Sequence, residues 1–345
     1  MGKKLNIFIT SVGRRSYMVN YFKEALDGNG LVHAGNSKAT YSMKLADRSV
    51  ITPLIYDQGY IGFLLEYCLK HHISAIISMF DIDLPVLAIN RKLFAEYGIT
   101  VIVSDYDVTQ ICNDKWLTNK FLVDNGFATV PTFISPGKAI DAIKDGRLHF
   151  PVIIKPRWGM ASIGMFIAEN DIELEVLYNK SFKKINETYL KYESAATPNE
   201  KVIIQEMIDG QEYSLDVFND LNGFFLQCTV KEKLDIRAGE SMYCRVVRDD
   251  ALETIGLRLS KRLKHIAVLD LDCIKKGKEY YIIDMNARFG GTYAYTHLAG
   301  ANFPKAIIKM LLNEKIDTAL LTTSAGITGI KDIVPVRLKN KGYEF

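Results

Sequence analysis

Short apolar runs and helical apolar spacing take turns along the first hundred residues. Runs rich in β-branched and aromatic residues predict strands over 5–10, 31–34, 73–79 and 100–104. Apolar positions three and four apart predict helices over 17–26, 61–70 and 84–97. This alternation predicts a doubly wound parallel sheet, because parallel neighbours need a crossover and a helix supplies it. Further along, the spacing predicts a helix over 116–125, a buried strand ending at Lys155 and a polar helical stretch over 171–200. Strands are expected over 201–208, 212–218 and 224–233, a loop over 234–241 and a helix over 252–264. Two more strands, 269–274 and from 280 onward, flank the polar turn Lys275-Lys276-Gly277-Lys278, and a helix is expected to begin near Gly290. The class is α/β, with α+β character in the second part.

At 345 residues the chain has room for two or three domains. A hydrophobic content of 48% with 24% charged residues describes a globular protein with ample core. The 43 basic and 40 acidic residues leave a formal net charge of +3, so no bulk field draws nucleic acid or a membrane surface. No run of about 18 apolar residues occurs, and no membrane span is expected. The five cysteines are odd in number, widely spaced and mostly inside apolar runs, which fits reduced core residues rather than disulfides or a zinc site. With no signal-peptide core behind Met1, a cytoplasmic location is expected.

The chemistry concentrates in the final hairpin. Alternate residues of a strand share a face, so Asp270 goes with Asp272, and Asp284 with Asn286 and Arg288. Folding the hairpin can bring Asp272, Asp284 and Asn286 together. Two carboxylates and an amide oxygen suit Mg²⁺, which keeps waters and completes its shell with phosphates. Arg288 would add a planar donor fork over the same phosphate. The same residues also suit an ordinary hairpin with acids on its wet face.

Other segments supply what a nucleotide site needs. Behind Lys155 comes a loop with Gly159, Ala161, Ser162 and Gly164, whose small residues let backbone N–H groups approach phosphate oxygens. No G-x-x-x-x-G-K-[ST] run occurs, so a lid over phosphates is the sharper reading. The strand end Gln205-Glu206-Met207-Ile208 can offer its backbone to a purine, and Glu212 can accept ribose hydroxyls. Nearer the start, Gly13 stands alone where a dinucleotide fingerprint needs three glycines, so NAD and FAD do not fit. Arg14 and Arg15 could hold an anion at a helix start or stand as two solvated arginines, and Asp81 stands where a parallel strand ends, with Asp83 as a natural N-cap before Pro85. Arg237 and Glu240, in the expected loop, could orient a carboxylate and an amine, or form a surface ion pair.

In this order the chain resembles the ATP-grasp superfamily, and within it proteins similar to the carbamoyl-phosphate synthase large subunit. The resemblance rests on Thr-Ser-Val-Gly-Arg-Arg at 10–15, Asn-Asp-Lys at 113–115, Ile-Ile-Lys-Pro at 153–156 and Gln-Glu-Met-Ile-Asp-Gly-Gln-Glu at 205–212. Arg-Ala-Gly-Glu at 237–240 and Asp-Met-Asn-Ala-Arg-Phe-Gly-Gly at 284–291 complete it. It implies a pre-ATP-grasp Rossmann-like domain over 1–108 and a two-lobed ATP-grasp domain over 109–345, with a lid over about 128–205. It implies that Lys115 and Lys155 contact ATP phosphates, that 205–208 and Glu212 hold the nucleoside, and that Asp272, Asp284 and Asn286 hold Mg²⁺ or Mn²⁺. Arg288 would stabilise the transferring phosphoryl group. The family usually has glutamate at 284 and proline at 287; Asp284 and Ala287 depart from that without removing a ligand type.

The implied activity is an ATP-dependent ligase that joins a small carboxylate to an amine through an acyl phosphate. A synthase-like enzyme phosphorylating bicarbonate or carbamate, and an ATP-binding module without turnover, are the alternatives. Arg14, Asp81, Arg237, Glu240, Arg245, Tyr293 and His297 are the candidate substrate contacts. The expected partners are two small molecules and a second copy of the chain, without nucleic acid or membrane.

Overall fold

The structure, a computed structural model, describes residues 4–159, 163–237 and 239–336. The chain opens with β1 (Asn6–Thr10), α1 (Ser16–Leu26), β2 (Val32–Asn36), α2 (Tyr41–Leu45) and β3 (Arg48–Ile51). It continues with α3 (Tyr60–Lys70), β4 (Ile73–Ser78), α4 (Asp83–Glu96) and β5 (Thr100–Ile102). All five strands are parallel, in the order β3-β2-β1-β4-β5, which is the sheet the alternation predicts. Its centre is β1, whose side chains alternate between two cores. Ile7 and Ile9 meet Met18, Val19 and Phe22 of α1, while Phe8 meets Leu64 of α3 and Leu87 of α4. The edge strand β3 and the short α2 escape the sequence pattern because Arg48-Ser49 interrupts the apolar run and five residues carry little periodicity.

Two helices, α5 (Tyr106–Asn113) and α6 (Lys115–Asp124), lead to a four-stranded antiparallel sheet. Its strands are β6 (Thr132–Phe133), β7 (Val152–Pro156), β8 (Phe166–Ala168) and β9 (Val202–Glu206), in the order β6-β9-β7-β8. Three helices, α7 (Pro136–Lys144), α8 (Asp171–Asn186) and α9 (Leu190–Glu193), accompany it. Ala139, Leu174, Ile185 and Leu190 from these helices close over Val152, Ile154, Val202 and Ile204 as a separate small core.

The rest forms a six-stranded antiparallel sheet, β14-β13-β10-β11-β12-β15. It contains β10 (Gln211–Asn219), β11 (Phe225–Arg237), β12 (Glu240–Val247), β13 (Val268–Lys276), β14 (Glu279–Asn286) and β15 (Thr328–Ile330). Helix α10 (Asp250–Leu263) lies under one face, with α11 (Tyr293–Leu298) and α12 (Phe303–Leu311) elsewhere. Leu215, Val217, Leu269 and Leu271 pack with Leu252 and Leu259 of α10, while Ser214, Asp216, Asp270 and Asp272 alternate onto the opposite face. That polar face carries the acids that the sequence singles out. Asp216 is fully buried there, meeting the ammonium of Lys231 and the hydroxyl of Thr296. The expected loop at 234–241 is instead the tip of the β11–β12 hairpin, with Arg237 opposite Glu240. All five cysteines are buried and unpaired. Among the described residues no helix is long and apolar enough to cross a membrane.

Two buried acids hold the parallel sheet to its surroundings. Asp83 is the first residue of α4, not its cap, and its carboxylate accepts from the hydroxyls of Thr10 (2.7 Å), Ser11 (3.1 Å), Ser78 (2.7 Å) and Tyr60 (2.8 Å). Asp81 instead reaches across to Arg288 beyond β14, accepting from its Nε at 2.9 Å, while Arg288 Nη1 lies 3.3 Å from Asp270 Oδ2. Burial opposes the charge on Arg288, but Asp81 and Asp270 outweigh it and raise its pKa. A buried ion pair that loses one partner leaves an uncompensated charge. Asp81→Ala should therefore destabilise the protein by about 3 kcal/mol in denaturant unfolding, with Asp81→Asn costing less. Equal stability of wild type and Asp81→Ala would show that the pair carries no weight.

His265, fully buried after α10, donates from Nε2 to the Val217 carbonyl (3.1 Å). Burial pushes its pKa down to about 4. The unfolded imidazole titrates near about 6.5, so folding favours the neutral ring. The stability this residue supports is complete above about pH 6.5 and is lost as pH falls towards about 4, by up to ~3 kcal/mol. Unfolding free energies measured at about pH 7 and pH 5 should fall more steeply in the wild type than in His265→Gln. Parallel slopes would contradict this assignment.

Candidate active site

The β13–β14 hairpin carries the candidate site residues, and its register decides which face they take. Ile282 pairs with Cys273, yet Asp284 pairs with Asp272, so Ile283 is an extra residue at a bulge. In an antiparallel pair, opposed residues share a face. Without the bulge Asp284 would face Leu271 and point into the core under α10. With it, Asp284 joins Asp272 on the polar face, and Asn286 joins Asp270. The burial pattern records the switch: Tyr280 and Ile282 are buried on one side of the bulge, Met285 and Ala287 on the other. Gly290 completes the approach, since a Cβ there would sit 2.2 Å from the Asp270 carboxyl carbon.

Lysines from three directions meet these acids. Lys115 starts α6, whose cap Asp114 accepts from the Trp116 and Leu117 N–H groups and from both Nε and Nη2 of Arg157 at 2.7 Å. This bidentate pair fixes the helix start against the end of β7. The Lys115 ammonium then donates to the Gly159 carbonyl (3.0 Å) and lies 3.2 Å from Asp284 Oδ1. Gly159 adopts φ +126°, which only glycine reaches without strain. Lys155 projects from β7 opposite Ile203; burial and the nearby Lys115 charge push its pKa down to about 8, against the pull of Asp284 and Asp272. Lys233, on β11, lies 2.9 Å from Asp272 Oδ1 and 3.3 Å from Glu212 Oε2.

The carboxylates respond in opposite directions. Burial would raise the Asp284 carboxyl, but Lys115 and Lys155 hold it below the usual range. Burial and the neighbouring Asp270 raise Asp272 despite Lys233. Asp284 Oδ1 is buried and, although within ion-pair distance of Lys115, makes no hydrogen bond of good geometry. An acceptor in that state is open to a further positive ligand. No group of three or more His, Cys, Asp and Glu side chains among the described residues is placed to hold a metal. Asp272, Asp284 and the Asn286 amide together nevertheless fit Mg²⁺, which needs few protein ligands when phosphates and waters supply the rest.

A cleft of about 320 Å³ opens over this hairpin, bordered by Arg14, Lys233, Glu240, Asp272, Asp284 and Arg288. Elsewhere on the same hairpin, Ile274, Tyr281 and Ile283 form a small apolar cluster with Val130 and Ile208. Of the strand end expected to meet a purine, the N–H groups of Glu206 and Met207 are already bonded to the carbonyls of Pro131 and Pro151. The Gln205 side chain donates to Thr132 Oγ1 (2.8 Å), and the Glu206 carboxylate sits 3.8 Å from His149. Ile208 is the residue of that strand end that borders the apolar cluster. Ser162 lies outside the described residues.

The substrate candidates separate. Arg14 and Glu240 border the cleft, Glu240 paired with Lys331 at 3.0 Å, and Asp81 stands behind Arg288. Four others do not reach it. Arg237 pairs with Asp235 at the exposed hairpin tip, and Arg245 pairs with Glu232 on an exposed strand. Tyr293 is fully buried, packing edge-on against Phe289 and accepting from the Phe303 N–H, which makes it a core residue. His297 stacks on Tyr21 at 3.6 Å between ring centres. Residue type and nearness to a motif suggested these four, but neither says which face a side chain takes. Sequence reasoning missed Lys233, and it read Arg15 as an anion holder or a solvated charge, whereas its guanidinium is committed to backbone. Arg15 donates to the carbonyls of Met79 and Phe289, tying the parallel sheet to the end of the hairpin. The signal for Lys233 was its alternation with Lys231 on a strand facing Asp216 and Asp272.

A family model described as "PylC-like, N-terminal domain" matches residues 7–102, and one described as "ATP-grasp domain" matches residues 148–272. The chain is similar to the carbamoyl phosphate synthase large chain of Pseudothermotoga lettingae, 24% identical over 303 residues, covering 84% of this chain and 26% of that protein. It is also similar to the D-alanine–D-alanine ligase of Clostridium beijerinckii, 28% identical over 179 residues, covering 51% of this chain and 53% of the ligase. The chain thus spans about a quarter and about half of the lengths of these two relatives. Among solved structures, the L-amino acid ligase of Bacillus licheniformis superposes with a TM-score of 0.72 at 16% identity, covering 98% of this chain and 82% of that one, which establishes the fold. The chain thus carries a PylC-like N-terminal domain followed by an ATP-grasp domain.

Proposed function

We propose that this protein is an ATP-dependent ligase that activates a small carboxylate as an acyl phosphate and joins it to an amine, releasing ADP and phosphate. The observation that carries this reading is the convergence of Lys115, Lys155 and Lys233 on Asp272 and Asp284 at one cleft. In this reading the apolar cluster around Ile208 and Ile274 takes the base, and Glu212 takes the ribose. Lys115 and Lys155 hold the phosphate chain. Asp272, Asp284 and Asn286 would hold Mg²⁺, which when bound supplies charge neutralisation on the phosphoryl oxygens.

A carboxylate oxygen attacks the terminal phosphorus, the bond to the bridging oxygen breaks and ADP departs. The amine nitrogen then attacks the acyl carbon, phosphate leaves and the nitrogen gives up a proton. This chain contributes position and charge. Arg288, with Nε and Nη1 committed to Asp81 and Asp270, is held in one orientation at the cleft wall. The lid region beyond β7 would keep water from the acyl phosphate. Similarity over most of the chain to the carbamoyl phosphate synthase large chain favours a second reading, in which bicarbonate is the acid that is phosphorylated.

A phosphate-release screen with Mg-ATP, over carboxylates paired with amines and including bicarbonate alone, tests both readings. Release that requires both a carboxylate and an amine supports the ligase, and bicarbonate-only release supports the second reading. Asp284→Ala and Lys155→Ala should each lower the turnover found by about 10²-fold or more, with Asp284→Glu retaining most of it. Full turnover in Asp272→Ala or Asp284→Ala would refute the roles given to those carboxylates.

A further inference from the structure

A second cavity, of about 310 Å³, lies at the carboxyl ends of the parallel strands. Ser11 follows β1, Thr52 follows β3 and Phe80 follows β4 by two residues, and all three border it, as does Asn36 at the end of β2. In open parallel sheets ligands bind outside the strand ends where the strand order reverses, and here that place is between β1 and β4. The chain turns there through Ser11 and Gly13, both with φ near +50°.

The lining is unlike that of the charged cleft. None of its residues carries a charge. Tyr56, Phe80 and Tyr189 give it aromatic walls, and Ser11, Asn36 and Thr52 give it a few neutral polar groups. Cavities of about 300 Å³ with apolar walls and a few polar groups are the usual form of small-molecule sites. A cavity of about 150 Å³ suffices for benzene, so this one has room for a substituted or fused ring.

Its walls come from two parts of the chain. Tyr189 precedes α9, which packs with the small sheet, while the other walls belong to the parallel sheet. The two parts are fastened beside the cavity: Glu193 accepts from the Tyr56 hydroxyl and from Asn113 Nδ2, both at 2.9 Å, and Tyr192 stacks on Tyr56 at 4.4 Å. The cavity and the charged cleft are bordered by neighbouring residues of the same loops. Phe80 borders the cavity while the next residue, Asp81, holds Arg288 in the cleft; Gly13 borders the cavity while Arg14 and Arg15 border the cleft.

We propose that this cavity receives an uncharged ring of one of the two substrates, an aryl group with a polar edge, whose reacting end is presented to the charged cleft across the shared loops. Its being a substrate pocket rests on the ligase activity proposed above; its preference for an aryl ligand does not. A bound ring would lie between Tyr189 and the parallel sheet, under the α9 segment that is already fastened there.

Fluorine NMR titration of the full chain with 4-fluorophenol tests this without turnover. Saturable binding is expected, persisting with ADP present in excess. It should be weakened about tenfold in Tyr189→Ala, which removes a wall, and in Ile55→Trp, which fills the space from another side. No saturable binding to the wild type, unchanged binding in both variants, or displacement by ADP would each overturn the proposal. If binding behaves as expected but no aryl-bearing acid or amine supports phosphate release, the ligand class stands and the substrate role falls.

Discussion

The structure depends on the matching of buried and half-buried cations to carboxylates along one face of the six-stranded sheet. Lys115 faces Asp284, Lys233 faces Asp272, Lys231 faces Asp216, and Arg288 lies between Asp81 and Asp270. Each partner alone would be costly to bury, so the positions of the lysines and acids are mutually enforced. The partners come from residues far apart in the chain, with 207 positions separating Asp81 from Arg288. Forming the site and docking the parallel sheet are therefore one event. In the proposed function the same pairs are exchangeable, since phosphates can replace the acids beside the lysines and a divalent cation can replace the lysines beside the acids.

Two backbone devices make that matching possible. The bulge at Ile283 turns Asp284 from the core face to the polar face, which is a use bulges often serve beside reactive sites. The Asp114–Arg157 pair locks the start of α6 to the end of β7, so Lys115 and Lys155 keep a fixed relation. Around them, the Glu193 contacts to Tyr56 and Asn113 draw the small sheet's helices to the parallel sheet.

Much of the fold was legible because it is written in local periodicity. Apart from α2 and β3, the strands and helices of residues 5–102 alternate cleanly, and the two strands around Gly277 stand out by their apolar runs. The hairpin acids were legible as a group, since side-chain alternation puts Asp284, Asn286 and Arg288 on one side whatever the register. What decides that side is the bulge, and nothing in Tyr-Tyr-Ile-Ile-Asp announces one except the shift of apolar residues from even to odd positions. The β11–β12 turn was misread as a loop because Arg237-Ala238-Gly239-Glu240 is polar and small, whereas cross-strand pairing of Arg237 with Glu240 is a long-range property. Asp83 looked like a helix cap for the same reason: its four hydroxyl partners lie on three other segments. Tyr293 and His297 sat beside a motif in sequence, but a helix turns successive residues to different faces, and these two went to the core and to Tyr21.

The central claim is that Lys115, Lys155, Asp272 and Asp284 form one Mg-nucleotide site. Calorimetric titration of ADP, with and without Mg²⁺, tests it most directly on the wild type, Lys155→Ala and Asp284→Ala. The account predicts that Mg²⁺ strengthens ADP binding to the wild type by about tenfold or more, that Asp284→Ala loses this gain, and that Lys155→Ala binds weakly in both conditions. ADP binding that ignores Mg²⁺ in the wild type, or that is unchanged in both variants, would contradict it.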